Sequence, residues 1–337
     1  MRKHSDTGSF SPISGVGGGY TIAIDLGGTI IKIGLLKDGQ LGDRKEMVAQ
    51  AASGLKAQLP ELEFTINQLL QSNGIKLKDV LGIGFSFAGL VDSVENRILS
   101  TNQKYDDGPD TDLVGWAYDK WNLPLFAMND ARMALLGEWH LGAGQGCTEL
   151  VAITLGTGIG SAVMIGGKLL IGKHFQTGNL GGHFVVNHKG SVCTCGNIGC
   201  MEAEASTWRL PSLLKEHPEF DQSAIKNEIV LDFRALFRHA ANNDNVCKDV
   251  LNHCLSAWAA GIITMIHAFD PEMIILSGGI MKSSAAILPA LQEKVNQLAC
   301  TPWGKVKLVE SKFPDSAALY GADYLVRSSI KSVKKQQ

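Results

Sequence analysis

The sequence predicts an α/β fold built as two similar halves with a cleft between them. Three observations carry that expectation. A strand, glycine turn, strand pattern opens at residues 20–36 and returns at 151–165. In each half, segments of helical period and short apolar strands follow the hairpin. The chain has 337 residues, 45% of them hydrophobic, enough for two domains that each bury a core.

Residues 1–19 are polar and glycine-rich without periodicity and read as a disordered leader. Residues 20–24 are apolar and β-rich, end in Asp25-Leu26-Gly27-Gly28 and resume at 30–36, a hairpin with a glycine tip; 37–41 turn into a third strand. Leu59, Leu62, Ile66, Leu69 and Leu70 recur at helical spacing within a helix predicted over 55–72, and a buried strand follows at 80–85. A short strand at 125–128 leads into Asn129-Asp130 and a helix over 131–141. The second half repeats the opening: a strand at 151–155, then Gly156-Thr157-Gly158-Ile159-Gly160, then a strand at 161–165 and a turn at 166–168. Helices are predicted over 206–216, 232–242 and 248–269. A strand at 273–276 with Ser277-Gly278-Gly279 after it and a helix over 285–298 complete the pattern.

Composition removes several function classes. A net charge of −2, with no Lys/Arg run outside the short tail at 331–335, argues against nucleic acid as a partner. Seven cysteines, with Cys147, Cys247, Cys254 and Cys300 scattered, do not form the framework of a secreted disulfide protein, so a reducing cytosol is expected. The first 20 residues hold no apolar signal core. The longest apolar run, 255–269, is interrupted by His267 and too short to span a bilayer, so neither export nor membrane insertion is expected.

The remaining cysteines carry the sharpest chemistry. Cys193, Cys195 and Cys200, with His183 ten residues earlier, are the ligand types of a closed tetrahedral zinc site, against the alternatives of a disulfide or clustered buried thiols. Four protein ligands leave no open position, so such a metal is structural and orients His183 and Glu202. Asp25-Leu26-Gly27-Gly28-Thr29 joins a carboxylate to bare backbone amides and a hydroxyl, suited to a phosphate, and Gly156-Thr157-Gly158 repeats the amides without the acid. Each alone also reads as a tight turn; matched in two halves they favour phosphate clamps. Gly278 and Gly279 offer bare backbone to a nucleotide's base and ribose, or simply turn a strand into a helix. Lys32 is either a phosphate contact or a solvated lysine. Asp130 is either a helix N-cap or the carboxylate that takes a proton from an alcohol during phosphoryl transfer.

Taken in order, Asp25-Leu-Gly-Gly-Thr29, Asn129-Asp130-Ala-Arg-Met-Ala-Leu-Leu-Gly-Glu138, Leu155-Gly-Thr-Gly-Ile-Gly160, Gly182-His183 with Cys193-x-Cys-Gly-x-x-Gly-Cys-x-Glu202, and Ser277-Gly-Gly-Ile280 resemble the ROK family (repressors, open reading frames, kinases) of sugar kinases. The cysteine motif is the specific part; the glycine loops are shared across the actin-like ATPase superfamily. The resemblance implies two ribonuclease-H-like α/β domains around a central cleft. The N-terminal one covers 20–130 and is rejoined by a C-terminal helix at 315–330; the C-terminal one covers 131–314 with the zinc motif. It implies ATP-dependent, glucokinase-like phosphorylation of a hexose or N-acetylhexosamine hydroxyl, with Asp130 as general base. ATP and Mg2+ are then expected at Asp25, Gly27, Gly28, Thr29, Lys32, Gly156, Thr157 and Gly158, with adenosine at Gly278 and Gly279. Asn102, Asn129, Asp130, His183 and Glu202 are expected to hold the sugar, and His183, Cys193, Cys195 and Cys200 a structural Zn2+. Dimers are usual in the family, so a homodimer is expected, in the cytoplasm that the scattered cysteines indicate.

Two departures stand out. Kinases of the family commonly carry Glu-x-Gly-His, whereas this chain has Leu180-Gly-Gly-His183, with Asn179 the nearest polar group. Losing a charged hydrogen bond costs about 1.5–3 kcal/mol unless another group replaces it, so a different sugar or weak glucose affinity is expected. Phe87-Ala88-Gly89 stands where the family usually has Pro-Gly before Asp92. Two rival readings follow: a silent sugar-binding protein, motivated by the missing glutamate, and a sugar-responsive repressor lacking its DNA-binding domain, since no helix-turn-helix is expected before Tyr20.

Overall fold

The computed structural model describes residues 18–101 and 103–334. Of the expected leader only Gly18 and Gly19 fall within that range, and Asn102 lies outside the described residues. The chain divides into two compact units, Met1–Gly146 with Gly167–Thr177 and Lys312–Gln337, and Cys147–Gly166 with Gly178–Ser311.

In the first unit β1 (Tyr20–Leu26), β2 (Ile30–Lys37), β3 (Gln40–Val48), β4 (Val80–Phe87) and β7 (Leu125–Asn129) form one sheet in the order β3-β2-β1-β4-β7. The hairpin β1-β2 and its extension to β3 are antiparallel, while β1, β4 and β7 run parallel. The central strands β1 and β4 are buried along almost their whole length, which is why they read as continuous apolar runs. The edge strand β3 is charged and exposed, a composition that blunts an open edge. β5 (Leu90–Asp92) and β6 (Arg97–Ser100) make a separate ribbon that the periodicity did not predict.

The helix expected from residue 55 resolves into a 3-10 turn at Lys56–Gln58 and α1 (Leu59–Ser72), because Pro60 suits the first turn of a helix and no later position. α2 (Leu113–Trp121) was not predicted; Asp112 caps it and Trp116 and Trp121 meet edge to face at 5.1 Å. α3 (Asp130–Leu141) and the last helix, α9 (Ala317–Lys334), cross so closely that a Cβ on Gly137 would overlap the Ala317 carbonyl, and one on Gly321 the Met133 carbonyl. That contact keeps α3 with the first unit, so the division falls at Gly146 rather than after Asp130. The segment Gly167–Thr177, with the two-residue strand β10 (Lys168–Leu169), belongs there too.

The second unit repeats the plan. β8 (Leu150–Leu155) pairs antiparallel with β9 (Ile159–Ile165) on one side and parallel with β11 (Met273–Ser277) on the other, and β11 pairs parallel with β12 (Lys307–Glu310). Its helices are α4 (Met201–Ala205), α5 (Leu210–Lys215), α6 (Phe233–Ala241), α7 (Asn245–Phe269) and α8 (Ser284–Leu298). The helix predicted from 206 starts only at Leu210, since the amides of Thr207 and Trp208 go to the carbonyls of Gly156 and Thr157. α7 begins three residues earlier than predicted, where Asp244 caps it through the Cys247 amide at 3.1 Å. It is long and apolar enough to cross a bilayer by composition. Its role in the unit is that of a core helix: Trp258 is fully buried and its Nε1 donates to the Ala205 carbonyl at 2.9 Å.

Candidate active site

Asp25 occupies the penultimate position of the buried strand β1, and the turn Gly27-Gly28-Thr29 follows it. Strand register sets Ser86 of β4 beside it, and the Ser86 hydroxyl donates to Asp25 Oδ1 at 2.8 Å. Burial lifts the Asp25 carboxyl above the ordinary range, against the opposing pull of that hydroxyl and of the Lys32 ammonium. The turn is braced by the buried Tyr105, whose hydroxyl donates to the Gly27 carbonyl at 3.0 Å. Lys32 is not simply solvated: its Nζ donates to the Asp315 carbonyl at 2.9 Å and lies 3.9 Å from that residue's carboxylate.

The strand β7 delivers Asn129 and Asp130 to the start of α3. The N-cap is Asn129, whose Oδ1 accepts from the Arg132 amide at 3.2 Å, so Asp130 is released from the capping role. Asn129 Nδ2 donates to the Gly89 carbonyl at 3.0 Å and to Asp130 Oδ1 at 2.9 Å, and the Ala131 amide also donates to Oδ1 at 2.8 Å. Both donors fall on one carboxylate oxygen and leave the second for another partner. Both ends of the Asn129 side chain are in use. Burial, and then repulsion from Asp25, push the Asp130 pKa up to about 6. Behind it, the buried Arg132 donates to the carbonyls of Leu170, Ile171, Phe175 and Thr177 and ties residues 170–177 to α3.

In the second unit the turn after β8 is closed by Gly156 N donating to the Gly158 carbonyl at 3.0 Å. Glu202, buried in the first turn of α4, accepts from the Ile159 amide at 2.7 Å, so the carboxylate sits against this turn. Thr157 is exposed. Gly278 takes φ +95° at the end of β11, where a side chain would strike the Leu155 carbonyl, while Gly279 opens onto free space. The turns at 156–158 and 278–279 therefore lie at the ends of neighbouring parallel strands. Leu180 is exposed, and Asn179 Oδ1 is buried without a partner among the described residues.

His183, Cys193, Cys195 and Cys200 bring one ligand atom each to within 4.8 Å of one another. Cys195 Sγ and Cys200 Sγ are 3.7 Å apart and Cys193 Sγ is 3.5 Å from His183 Nδ1. A tetrahedral zinc ion with ordinary bond lengths has sulfur–sulfur edges of about 3.8 Å and nitrogen–sulfur edges of about 3.6 Å. The separations match those edges and are far too long for the disulfide alternative, whose bond is about 2.05 Å. With Nδ1 turned to the thiols, the imidazole keeps Nε2 for a second partner.

Ser86, Tyr105 and Arg132 had no role in the sequence reading. Ser86 carried a readable signal, as the lone hydroxyl of an apolar strand; the other two are joined to their partners only by the fold. A sequence profile of the ROK family matches residues 21–329. The chain is 29% identical to the glucokinase of Thermotoga maritima, covering 92% of this chain and 98% of that one. It is 26% identical to the xylose repressor of Bacillus subtilis over 91% of this chain and 77% of the repressor. Among solved structures it is similar to a ROK family glucokinase from Streptomyces griseus in complex with glucose and AMPPNP, with a TM-score of 0.77 and 25% identity over 92% of this chain and all of that one.

Proposed function

The chain belongs to the ROK family, and from that premise we propose that it is an ATP-dependent sugar kinase acting on a hydroxyl of a hexose or N-acetylhexosamine, with Asp130 as general base. The observation that carries the reading is the state of Asp130: freed from capping by Asn129, held through one oxygen, and raised in proton affinity to about pH 6. A base poised just below neutrality is ionised in the cell and still takes a proton readily. Asp130 accepts the proton of the sugar hydroxyl as that oxygen bonds to the terminal phosphorus. The phosphorus–oxygen bond to the nucleotide breaks and its electron pair stays on ADP. ATP with Mg2+ supplies the phosphoryl group when bound.

The other assignments are proposals on the same footing. Asp25, Gly27, Gly28, Thr29, Lys32, Gly156, Thr157 and Gly158 are offered to the phosphates and magnesium, and Gly278 and Gly279 to adenosine. His183, through Nε2, and Glu202 are offered to sugar hydroxyls, while Asn129 acts mainly by positioning Asp130. Zn2+ is held by His183, Cys193, Cys195 and Cys200 and keeps His183 and Glu202 in place. A cytoplasmic homodimer is part of the same reading. Glucose is the first substrate to test, given the glucokinase relatives. Leu180 removes the charged contact that the family usually makes, so N-acetylglucosamine, N-acetylmannosamine, mannose and fructose belong beside it.

The likeness to the xylose repressor supports a second reading, a sugar-binding regulator without turnover. Coupled ADP release on that panel with ATP and Mg2+ separates the two. Turnover on at least one sugar is expected; none on any sugar favours the regulator. Asp130→Asn is expected to keep sugar binding and to lose turnover by about 100-fold or more, and near-normal turnover would remove Asp130 from its role.

A further inference from the structure

We propose that Lys104 contacts the terminal phosphate of the nucleotide on the Asp25 turn, an assignment that rests on the kinase reading above. The loop that bears it is heavily braced. Gln103 and Tyr105, on either side of Lys104, adopt φ +57° and +58°, a left-handed conformation costly for such side chains that the surroundings must impose. The Tyr105 amide donates to the Ala51 carbonyl at 2.9 Å, and its hydroxyl to the Gly27 carbonyl. Asp107 accepts from the amides of Leu55 and Lys56, and the Thr101 hydroxyl donates to Asp106 at 3.1 Å. From this strut the Lys104 side chain reaches over Gly28: a Cβ there would overlap its Nζ, Cδ and Cε. The ammonium thus occupies the space that glycine leaves bare in the phosphate turn.

Its charge has no answering carboxylate among the described residues, whereas Lys32, the other cation near the turn, is bound to Asp315. An exposed ammonium above the bare backbone of Gly28, with no ion-pair partner among the described residues, lacks an anion. A terminal phosphate fits that demand in charge and in its need for several donors, and a cation there stabilises charge that develops during transfer. The alternatives, a contact to the inner phosphates or a purely structural role for Lys104, are outcomes of the test.

Affinities of the full chain, its Lys104→Ala variant and its Lys104→Arg variant for AMPPNP and for ADP, each with Mg2+, are measured by calorimetry, with melting temperature alongside. The Ala variant is expected to lose about tenfold or more in AMPPNP affinity and to change by less than about twofold for ADP, with an unaltered melting temperature. The Arg variant is expected to recover most of the loss. Equal losses for both nucleotides, or none for either, overturn the assignment to the terminal phosphate. A wild-type chain that binds neither nucleotide overturns the kinase reading and this assignment with it, whereas wild-type AMPPNP binding left intact in Lys104→Ala overturns the assignment alone.

Discussion

Asn129 and Asp130 are neighbours able to do each other's local work, since either side chain can cap a helix. The chain gives the cap to Asn129, which leaves Asp130 with an oxygen to spare in a site that disfavours its charge. The consequence is a pH dependence. With Asp130 as the proposed base, turnover requires its ionised carboxylate, so kcat/KM is expected to rise through about pH 6 and level off above it, and a pH–rate profile with no inflection near there would count against that role. Stability runs the other way. The folded pKa lies above the 3.8 of an ordinary aspartate, so the stabilising contribution of protonated Asp130 is complete below about pH 4 and is lost as pH rises through about 6. Asp130→Asn, neutral at every pH, is therefore expected to raise the melting temperature more at about pH 8 than at about pH 4. Equal shifts at both pH values would show that Asp130 keeps an ordinary pKa in the fold.

At the scale of the element, the stretch from His183 to Glu202 has little regular structure of its own. α4 is five residues long, too short to persist by itself, and two isolated bridges, Val185 with Cys200 and Val192 with Ile198, hold the loop together. The side chains of His183, Cys193, Cys195 and Cys200 converge in this segment, and the proposed metal would give it a fixed shape and support the buried Glu202 at the head of α4. We expect about one zinc per chain by elemental analysis, and loss of metal with a clearly lower melting temperature in Cys195→Ser. A metal-free protein with full stability and activity would refute the structural role. The clustering of His183, Cys193, Cys195 and Cys200 was legible because these residues are close in the chain and are the types that metal chemistry favours. The shortened helix at 206–216 was not, because the amides that would extend it are claimed by a turn some 50 residues earlier.

Across the whole molecule the hairpin-first sheet is used twice, and the chain's last helix returns to the first unit. Gly137 and Gly321 make that return possible by letting two helix backbones touch. Gly321→Val is expected to cost at least about 1–3 kcal/mol, read as a lower urea midpoint; an unchanged midpoint would mean that α9 can shift without loss. Arg327 secures the same helix from its other end, with its guanidinium buried between Asp323 at 2.8 Å and the Gly19 carbonyl at 2.8 Å.

The amino-acid sequence by itself determined the doubled α/β plan, the two glycine turns, the grouping of His183 with Cys193, Cys195 and Cys200, and the candidacy of Asp130. Each is written in periodicity or spacing within a few residues, where local sterics and metal-ligand chemistry leave little choice. Tertiary structure alone decided that Ser86 faces Asp25, that Asn129 rather than Asp130 caps α3, that Lys104 covers Gly28, and that α3 and α9 share a unit. Those outcomes depend on strand register and on close packing between segments distant in the chain, which no local pattern encodes.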